Sequence, residues 1–295
     1  MTFRSGIVAV VGRPNTGKSS LINAMVGTKV AIVSNKPQTT RHPVRGILTG
    51  PDRQVVFTDT PGYHRPRTLL GERLNRRAEE AVAGVDVVML VVDGAAGVGR
   101  GDAFVARLSV ASFPGPRVCA VNKIDLIRRH GEVPQLAAAA ELAAFDHVVP
   151  TSAPTGRGLE DLLGAVAASL PEGDALYPED VATDQPLELR VAEIVREKAL
   201  GLTREEVPHS VAVVVEEFER DNATGLVTLS CRLMVERDSQ KGIVIGRGGE
   251  MLKRIGTQAR EEIEAVLGAR VFLDLRVRVL KDWQRDPASL DRLGL

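Results

Sequence analysis

The stretch that most restricts how this chain can fold is Gly12-Arg13-Pro14-Asn15-Thr16-Gly17-Lys18-Ser19, which fits G-x-x-x-x-G-K-[ST]. An apolar run, residues 7–11, precedes it, and Ser20 opens a helical stretch over residues 20–25. A buried strand therefore leads through a glycine loop into a helix, the context this pattern requires. Such a loop wraps backbone N–H groups around a di- or triphosphate, and the helix N-terminus adds partial positive charge. Gly12 and Gly17 let the backbone turn and approach the phosphates. Thr16 and Ser20 belong to the same cradle, Lys18 reaches the β- and γ-phosphates, and Ser19 offers its hydroxyl to Mg²⁺.

Three further motifs follow in order, each at the end of an expected strand. After the glycine loop, residues 28–45 hold Asn35, Pro37 and a polar run, which mark a loop. Thr39 and Thr40 both offer a hydroxyl that could meet Mg²⁺ and order this loop around a γ-phosphate; Thr40 is favoured. The strand over residues 54–58 runs into Asp59-Thr60-Pro61-Gly62. Asp59 is placed to hold Mg²⁺, and the Gly62 N–H to sense the γ-phosphate. A charged helical stretch, residues 72–84, and an apolar strand, residues 85–93, lead to another strand at 117–121 and then to Asn122-Lys123-Ile124-Asp125. A carboxylate here accepts N1–H and N2–H₂ of guanine together, whereas adenine leaves it unpaired. Asp125 takes that role, Asn122 contacts the base and ties loops together, and the Lys123 stem covers a base face. The last strand, residues 148–150, ends in Thr151-Ser152-Ala153, whose Ser152 and Ala153 complete the base site, with the Ala153 N–H facing guanine O6. Ligands of open α/β sheets bind at this carboxyl edge.

These motifs together resemble the translational GTPase-like superfamily of P-loop GTPases over residues 5–172. The resemblance implies GTP and GDP as ligands with Mg²⁺, and Lys18, Thr40, Gly62 and Asn15 as the residues nearest the chemistry. One departure stands out. Where signalling GTPases carry a water-orienting Gln after Asp-x-x-Gly, this chain has Tyr63. The segment around Asn15 resembles GTPases that bind K⁺ beside the phosphates, which implies that Asn15 ligates K⁺ and that the ion offsets transition-state charge. An internal arginine, Arg41, Arg45, Arg65 or Arg67, is the alternative.

At 295 residues, with 44% hydrophobic and 26% charged content, the chain can bury two cores. Prolines and acidic residues over 173–186 read as a linker, so the expected division is 1–172, a linker at 173–186, and a second domain at 187–295. That second domain reads αββααβ: a helix over 187–200, strands over 211–218 and 226–235, a long helix over 250–267 and a strand over 270–279. Gly246-Arg247-Gly248-Gly249 lies between its helices. Order and loop resemble a type II KH domain over residues 186–281, in which a G-x-x-G loop clamps four nucleotides of single-stranded RNA. The fold class is thus a doubly wound α/β sheet followed by a smaller α+β KH domain. Net charge is zero, so basicity can act only locally. Lys241, Arg247, Lys253, Arg254 and Arg260 gather around the loop and predict a groove basic on its floor, with moderate salt dependence. Aromatic content is 3%, so base stacking is expected to be minor, and Trp283 is expected to pack. Cys119 and Cys231 lie in apolar runs and lack metal-ligand spacing.

A GTPase domain followed by a type II KH domain resembles the bacterial Era-like GTPases across nearly the whole chain. The resemblance implies a ribosome-assembly switch that binds 16S ribosomal RNA and the 30S subunit. It also implies a peripheral touch on the inner membrane face. No obligate protein partner is expected. Without a signal-peptide core or an apolar run of membrane-spanning length, the expected location is the cytoplasm. Two other readings stay open: an enzyme subunit acting on transfer RNA, and a membrane-linked regulator whose KH fold docks proteins.

Overall fold

Near-continuous apolar runs make strands buried on both faces, and helices must cover them. The computed structural model describes residues 2–36, 38–127, 131–203 and 207–295, and in it this expectation is met. Pro37, read above as part of a loop, lies outside the described residues. The chain divides into two units, with the main division between Asp184 and Gln185.

The first unit runs β1 (Arg4–Val11), α1 (Lys18–Val26), β2 (Val44–Thr49), β3 (Arg53–Asp59), α2 (Leu69–Glu80), β4 (Val87–Asp93), α3 (Arg100–Val105), β5 (Arg117–Asn122), α4 (Glu132–Ala140), β6 (His147–Pro150) and α5 (Leu159–Ser169). The sheet order is β2-β3-β1-β4-β5-β6, parallel except for the β2–β3 pair. Alternate strand residues feed two separate layers. Val8, Val10, Phe57, Met89 and Ala120 pack with Leu21 and Ile22 of α1 and Leu162 and Val166 of α5. Ala9, Val11, Leu90 and Val121 pack on the other side with Ala78 of α2, Val105 of α3 and Ala139 of α4. β1 has β3 on one side and β4 on the other, so the chain reverses its direction of winding there. That is the switch point where α/β sheets place ligands.

Two features go beyond the sequence reading. β2 lies at the end of the stretch read as loop; its Gly46 sits where a Cβ would come within 2.7 Å of Ile22, so the strand is built on close packing rather than on a long apolar run. The segment at 173–184, expected as linker, has no helix or sheet strand of its own beyond one bridge between Arg4 and Glu172 at its start, yet it is held along the sheet. Ile47 N–H donates to Ala182 O at 2.8 Å, Gln54 bonds the backbone of Leu176 and Tyr177, and Arg45 reaches Asp184 and the Tyr177 hydroxyl at 2.7 and 3.2 Å.

The second unit runs α6 (Leu187–Leu202), β7 (Ala212–Arg220), β8 (Val227–Val235), α7 (Asp238–Ile245), α8 (Glu250–Leu267), β9 (Val271–Val279) and α9 (Pro287–Arg292). β7 and β8 pair antiparallel, β8 and β9 parallel. Leu229, Cys231 and Leu233 alternate inward against Val191 and Val195 of α6 and Ile255, Ala259 and Ile263 of α8. α9, absent from the sequence reading, is short and depends on its cap: Asp286 accepts the Ser289 N–H at 2.9 Å with Pro287 in the first turn. Trp283 is fully buried and its indole N–H donates to Ser210 O at 3.1 Å. Both cysteines are buried and free, and burial pushes each thiol up to about 12, which keeps them unreactive.

Candidate functional site: a nucleotide cradle and a groove beside a glycine loop

The glycine loop leaves β1 at the switch point and is closed in by its neighbours. A Cβ on Gly12 would lie 2.4 Å from Val91 O, and one on Gly17, where φ is +93°, 2.3 Å from Asn122 Nδ2. Only glycine fits either place. Lys18 opens α1 and is buried, with Nζ donating to Gly12 O at 3.2 Å and Arg13 O at 2.9 Å. Burial lowers its pKa to about 8, against the pull of Asp59, which raises it. The ammonium thus sits over the loop where phosphate oxygens would stand.

Next to it, three oxygen groups meet. Ser19 Oγ and Thr40 Oγ1 both donate to Asp59 Oδ2, at 2.6 and 3.0 Å, and lie 3.1 Å from each other. Asp59 is fully buried, and desolvation raises its carboxyl above the usual range. Its Oδ1 is buried without a hydrogen-bond partner. An all-oxygen set with one carboxylate and an unsatisfied buried oxygen fits Mg²⁺, which binds few carboxylates and completes its shell with phosphate and water. Of the two adjacent threonines, the structure brings Thr40 to this cluster. Gly62 is pressed against the loop, since its Cβ would fall 2.6 Å from Pro14 N. Tyr63 N–H donates to Gly12 O at 3.3 Å, while its ring is buried with Val105, Ala106 and Val110. The ring is a packing group. Gln38 contacts His64, joining the loop that carries Thr40 to the one that carries Gly62.

At the base end, Asn122 Nδ2 donates to Thr16 O at 3.0 Å and its Oδ1 accepts from the Ala153 N–H at 3.4 Å, so it ties three loops. Lys123, with φ of +63°, spans Asn15 O and Asp93 Oδ2, each at 2.6 Å. Asp125 stays exposed, with one carboxylate oxygen held by Ser152 Oγ at 2.6 Å. Asp93 was missed by sequence reading, because a single carboxylate at the end of an apolar run carries no motif. Arg13, also unread, is held by the buried Asp102 at 2.7 Å. Among the arginines weighed as fingers, Arg45 is committed to Asp184 and Tyr177 at the sheet edge.

In the second unit, Gly246–Gly249 makes a tight turn between α7 and α8, with Arg247 and Gly248 exposed at its tip. A groove of about 410 Å³ starts at Gly249 and runs between α8 and the edge strand β9. Lys253, Thr257 and Arg260 form its α8 wall; Phe272, Leu273 and Leu275 form its β9 wall. Gly256 keeps it open, since a Cβ there would lie 3.3 Å from Leu275. Lys241 and Arg254 lie outside the groove lining. Phe272, 58% exposed, pairs with Thr228 in the register, so its side chain stands on the sheet face turned away from α8.

A family model described as a 50S ribosome-binding GTPase matches residues 7–123, and a KH domain model matches residues 206–284. GTPase Era of Mycobacterium tuberculosis is 50% identical over 296 residues, covering 99% of each chain. The chain belongs to the Era family of GTPases. GTPase Era of Mycobacterium avium is 49% identical with the same coverage. Two solved Era structures, each 38% identical and covering 99% of both chains, match with a TM-score of 0.95. One is Aquifex aeolicus Era, a variant bound to GDP and AlF₄⁻; the other is Era in complex with MgGDPNP and nucleotides 1506–1542 of 16S ribosomal RNA. As a member of the Era family, the chain is a GTPase with a KH domain. Its nucleotide motifs all lie at one edge of the first sheet.

Proposed function

We propose that this Era-family GTPase is a slow molecular switch that binds 16S ribosomal RNA through its KH groove and acts in assembly of the 30S subunit. The observation that carries the nucleotide half is the meeting of Ser19, Thr40 and Asp59 beside Lys18. The cluster joins the phosphate loop to Thr40, which precedes β2, and to the strand end that leads to Gly62. A γ-phosphate would engage Lys18, the Thr40 loop and the Gly62 N–H together, and its loss would release them. Ser19, Thr40 and Asp59 would hold Mg²⁺, which neutralises phosphate charge. Asp125, steadied by Ser152, selects guanine; Asn122, Lys123 and Ala153 frame the base; Gly12, Thr16, Gly17 and Ser20 cradle the phosphates.

With Tyr63 packed away, no side chain at that place orients water, and we assign the missing charge compensation to K⁺ held by Asn15. Hydrolysis in KCl should exceed that in NaCl, and equal rates would sink this assignment. Intrinsic turnover is expected at ~10⁻⁴ to 10⁻³ s⁻¹. On the RNA side, Lys241, Gly246, Arg247, Gly248, Gly249, Lys253 and Arg254 remain the proposed binding set, with Arg260 of the same basic cluster beside them. The domain division of 1–172, 173–186 and 187–295 is retained as a division of function. Among the described residues no helix is long and apolar enough to cross a membrane. The proposed location is the cytoplasm, with a peripheral touch on the inner membrane face.

The deciding experiment measures binding of RNA carrying nucleotides 1506–1542 of 16S ribosomal RNA with GDPNP and with GDP, in one K⁺ buffer. Tighter binding with GDPNP supports the switch. Binding of no RNA in either state overturns the RNA half and leaves the GTPase standing.

A further inference from the structure

The side chain of Arg13 ties the nucleotide loop to α3. Its Nε donates to Asp102 Oδ1 at 2.7 Å, and the Asp102 side chain is fully buried. The other carboxylate oxygen, Oδ2, accepts the Gly99 N–H at 2.9 Å, and a second guanidinium nitrogen of Arg13 reaches Gly97 O at 3.4 Å. Breaking a buried ion pair is costly, so the arrangement holds the arginine in one place. The anchor is itself fixed, since the Val98 N–H donates to the Gln135 side chain of α4 at 3.1 Å. Gly101 makes room for the arginine stem: a Cβ there would lie 2.4 Å from Arg13 Cδ.

The backbone of Arg13 lies against the groups nearest the chemistry. Arg13 O accepts from Lys18 Nζ at 2.9 Å and from Thr16 Oγ1 at 3.2 Å. Gly62 is pressed on the same peptide, since its Cβ would fall 2.6 Å from Pro14 N and 3.1 Å from the Arg13 carbonyl carbon. Lys18 and Gly62 are the groups assigned above to the γ-phosphate, and both touch the Arg13–Pro14 peptide. The guanidinium is engaged with Asp102 and Gly97, so Arg13 acts through these neighbours and not as an arginine finger.

We propose that Arg13, braced by Asp102, is a positioning residue for GTP hydrolysis. The ion pair fixes the Arg13–Pro14 peptide against α3, and that peptide sets where Lys18 and the Gly62 N–H stand relative to each other. A diphosphate rests chiefly on the amides at the α1 N-terminus. The brace therefore bears on the step that involves the γ-phosphate more than on nucleotide retention. The proposal rests on the assignment of Lys18 and Gly62 to the γ-phosphate.

The test uses the full chain without RNA, in one K⁺ buffer, and reads GDP affinity, kcat and KM for GTP, and thermal unfolding. Arg13→Lys keeps a positive charge beside Asp102 but loses the planar fork that meets Asp102 and Gly97 together. It should bind GDP within about threefold of the wild type while kcat falls about ten- to a hundredfold at little-changed KM, the pattern of reacting groups misplaced and not lost. Gly101→Ala removes no charge and only pushes on the Arg13 stem; it should show the same split to a smaller degree. Arg13→Ala should show it too and unfold at lower temperature, because it leaves Asp102 buried alone. If Arg13→Ala does not fold, the other two variants decide. A kcat within about twofold of the wild type in every folded variant would make the pair purely structural and overturn the proposal. Equal losses of GDP affinity and kcat would overturn it as well, because the brace would then serve binding. Lys18→Ala separates the two levels. Retained tight GTP binding in that variant removes the phosphate reading itself, whereas abolished binding there with normal hydrolysis in the Arg13 variants removes only the brace.

Discussion

The chain carries two glycine loops, and they differ in how far the surrounding protein encloses them. In Gly12–Ser19 each glycine is boxed in: added Cβ atoms would strike Val91 O or Asn122 Nδ2 at 2.4 and 2.3 Å. In Gly246–Gly249, Gly246 is also boxed in, with Met251 Cβ 2.7 Å from an added Cβ, but a Cβ on Gly248 or Gly249 meets nothing within 4 Å, although both have positive φ, +61° and +81°. The first loop is shaped by the protein around it. The second is closed against α8 at Gly246 and left open at its tip. A site that must discriminate a small ligand is preorganised by packing on every side. A site for a polymer needs only a clear approach and backbone amides within reach.

Five experiments can break or sharpen this contrast. The largest effect is expected from Lys18→Ala, which should abolish GTP and GDP binding in a fluorescent-nucleotide titration; retained tight binding would contradict the phosphate assignment. Next comes Gly17→Ala. Its methyl must displace Asn122, so affinity should fall by roughly two orders of magnitude, and thermal unfolding should show destabilisation of about 2–3 kcal/mol. The third is a pH series. Lys18 titrates near 8, so above that pH the free protein loses the charge that phosphate requires. Binding then needs proton uptake, and GDP affinity should weaken about tenfold from pH 7 to pH 9. A flat profile would show that Lys18 stays charged. The smallest effects belong to the open loop. Arg247→Glu should cost about tenfold in RNA affinity while leaving hydrolysis intact. Gly248→Ala should cost about 1–2 kcal/mol of stability, the left-handed strain alone with no steric clash added. A Gly248→Ala effect on folding as large as that of Gly17→Ala would erase the distinction between the loops.

The same contrast explains what the sequence made legible. Motifs whose residues act at fixed short spacing were readable: the cradle around Lys18, the Asp59 strand end, Asn122 to Asp125. So was the helix Glu250–Leu267, whose apolar face repeats at helical period. What stayed hidden depends on residues brought together from afar. Thr39 and Thr40 both offer a hydroxyl in the sequence, which favours Thr40, and it is the approach of Asp59 that brings Thr40 into the cluster. Asp93 becomes a partner of Lys123 because β4 and β5 end side by side, with Asp93 opposite Asn122 in the register. β2 was missed because a strand supported by antiparallel pairing and a close helix contact needs little apolar signal of its own.

The strap at 173–184 has a consequence for how the protein keeps to itself. A sheet margin with free amides is a template for another chain, and proteins blunt such margins by covering them. Here the Ile47 N–H on β2 is taken by Ala182, and Arg45 is drawn out to Asp184. The segment that reads as a spacer between domains is therefore also a guard against self-association. A fragment cut after residue 172 strips the guard and should oligomerise through β2, whereas one ending at Asp184 should stay monomeric at the same concentration.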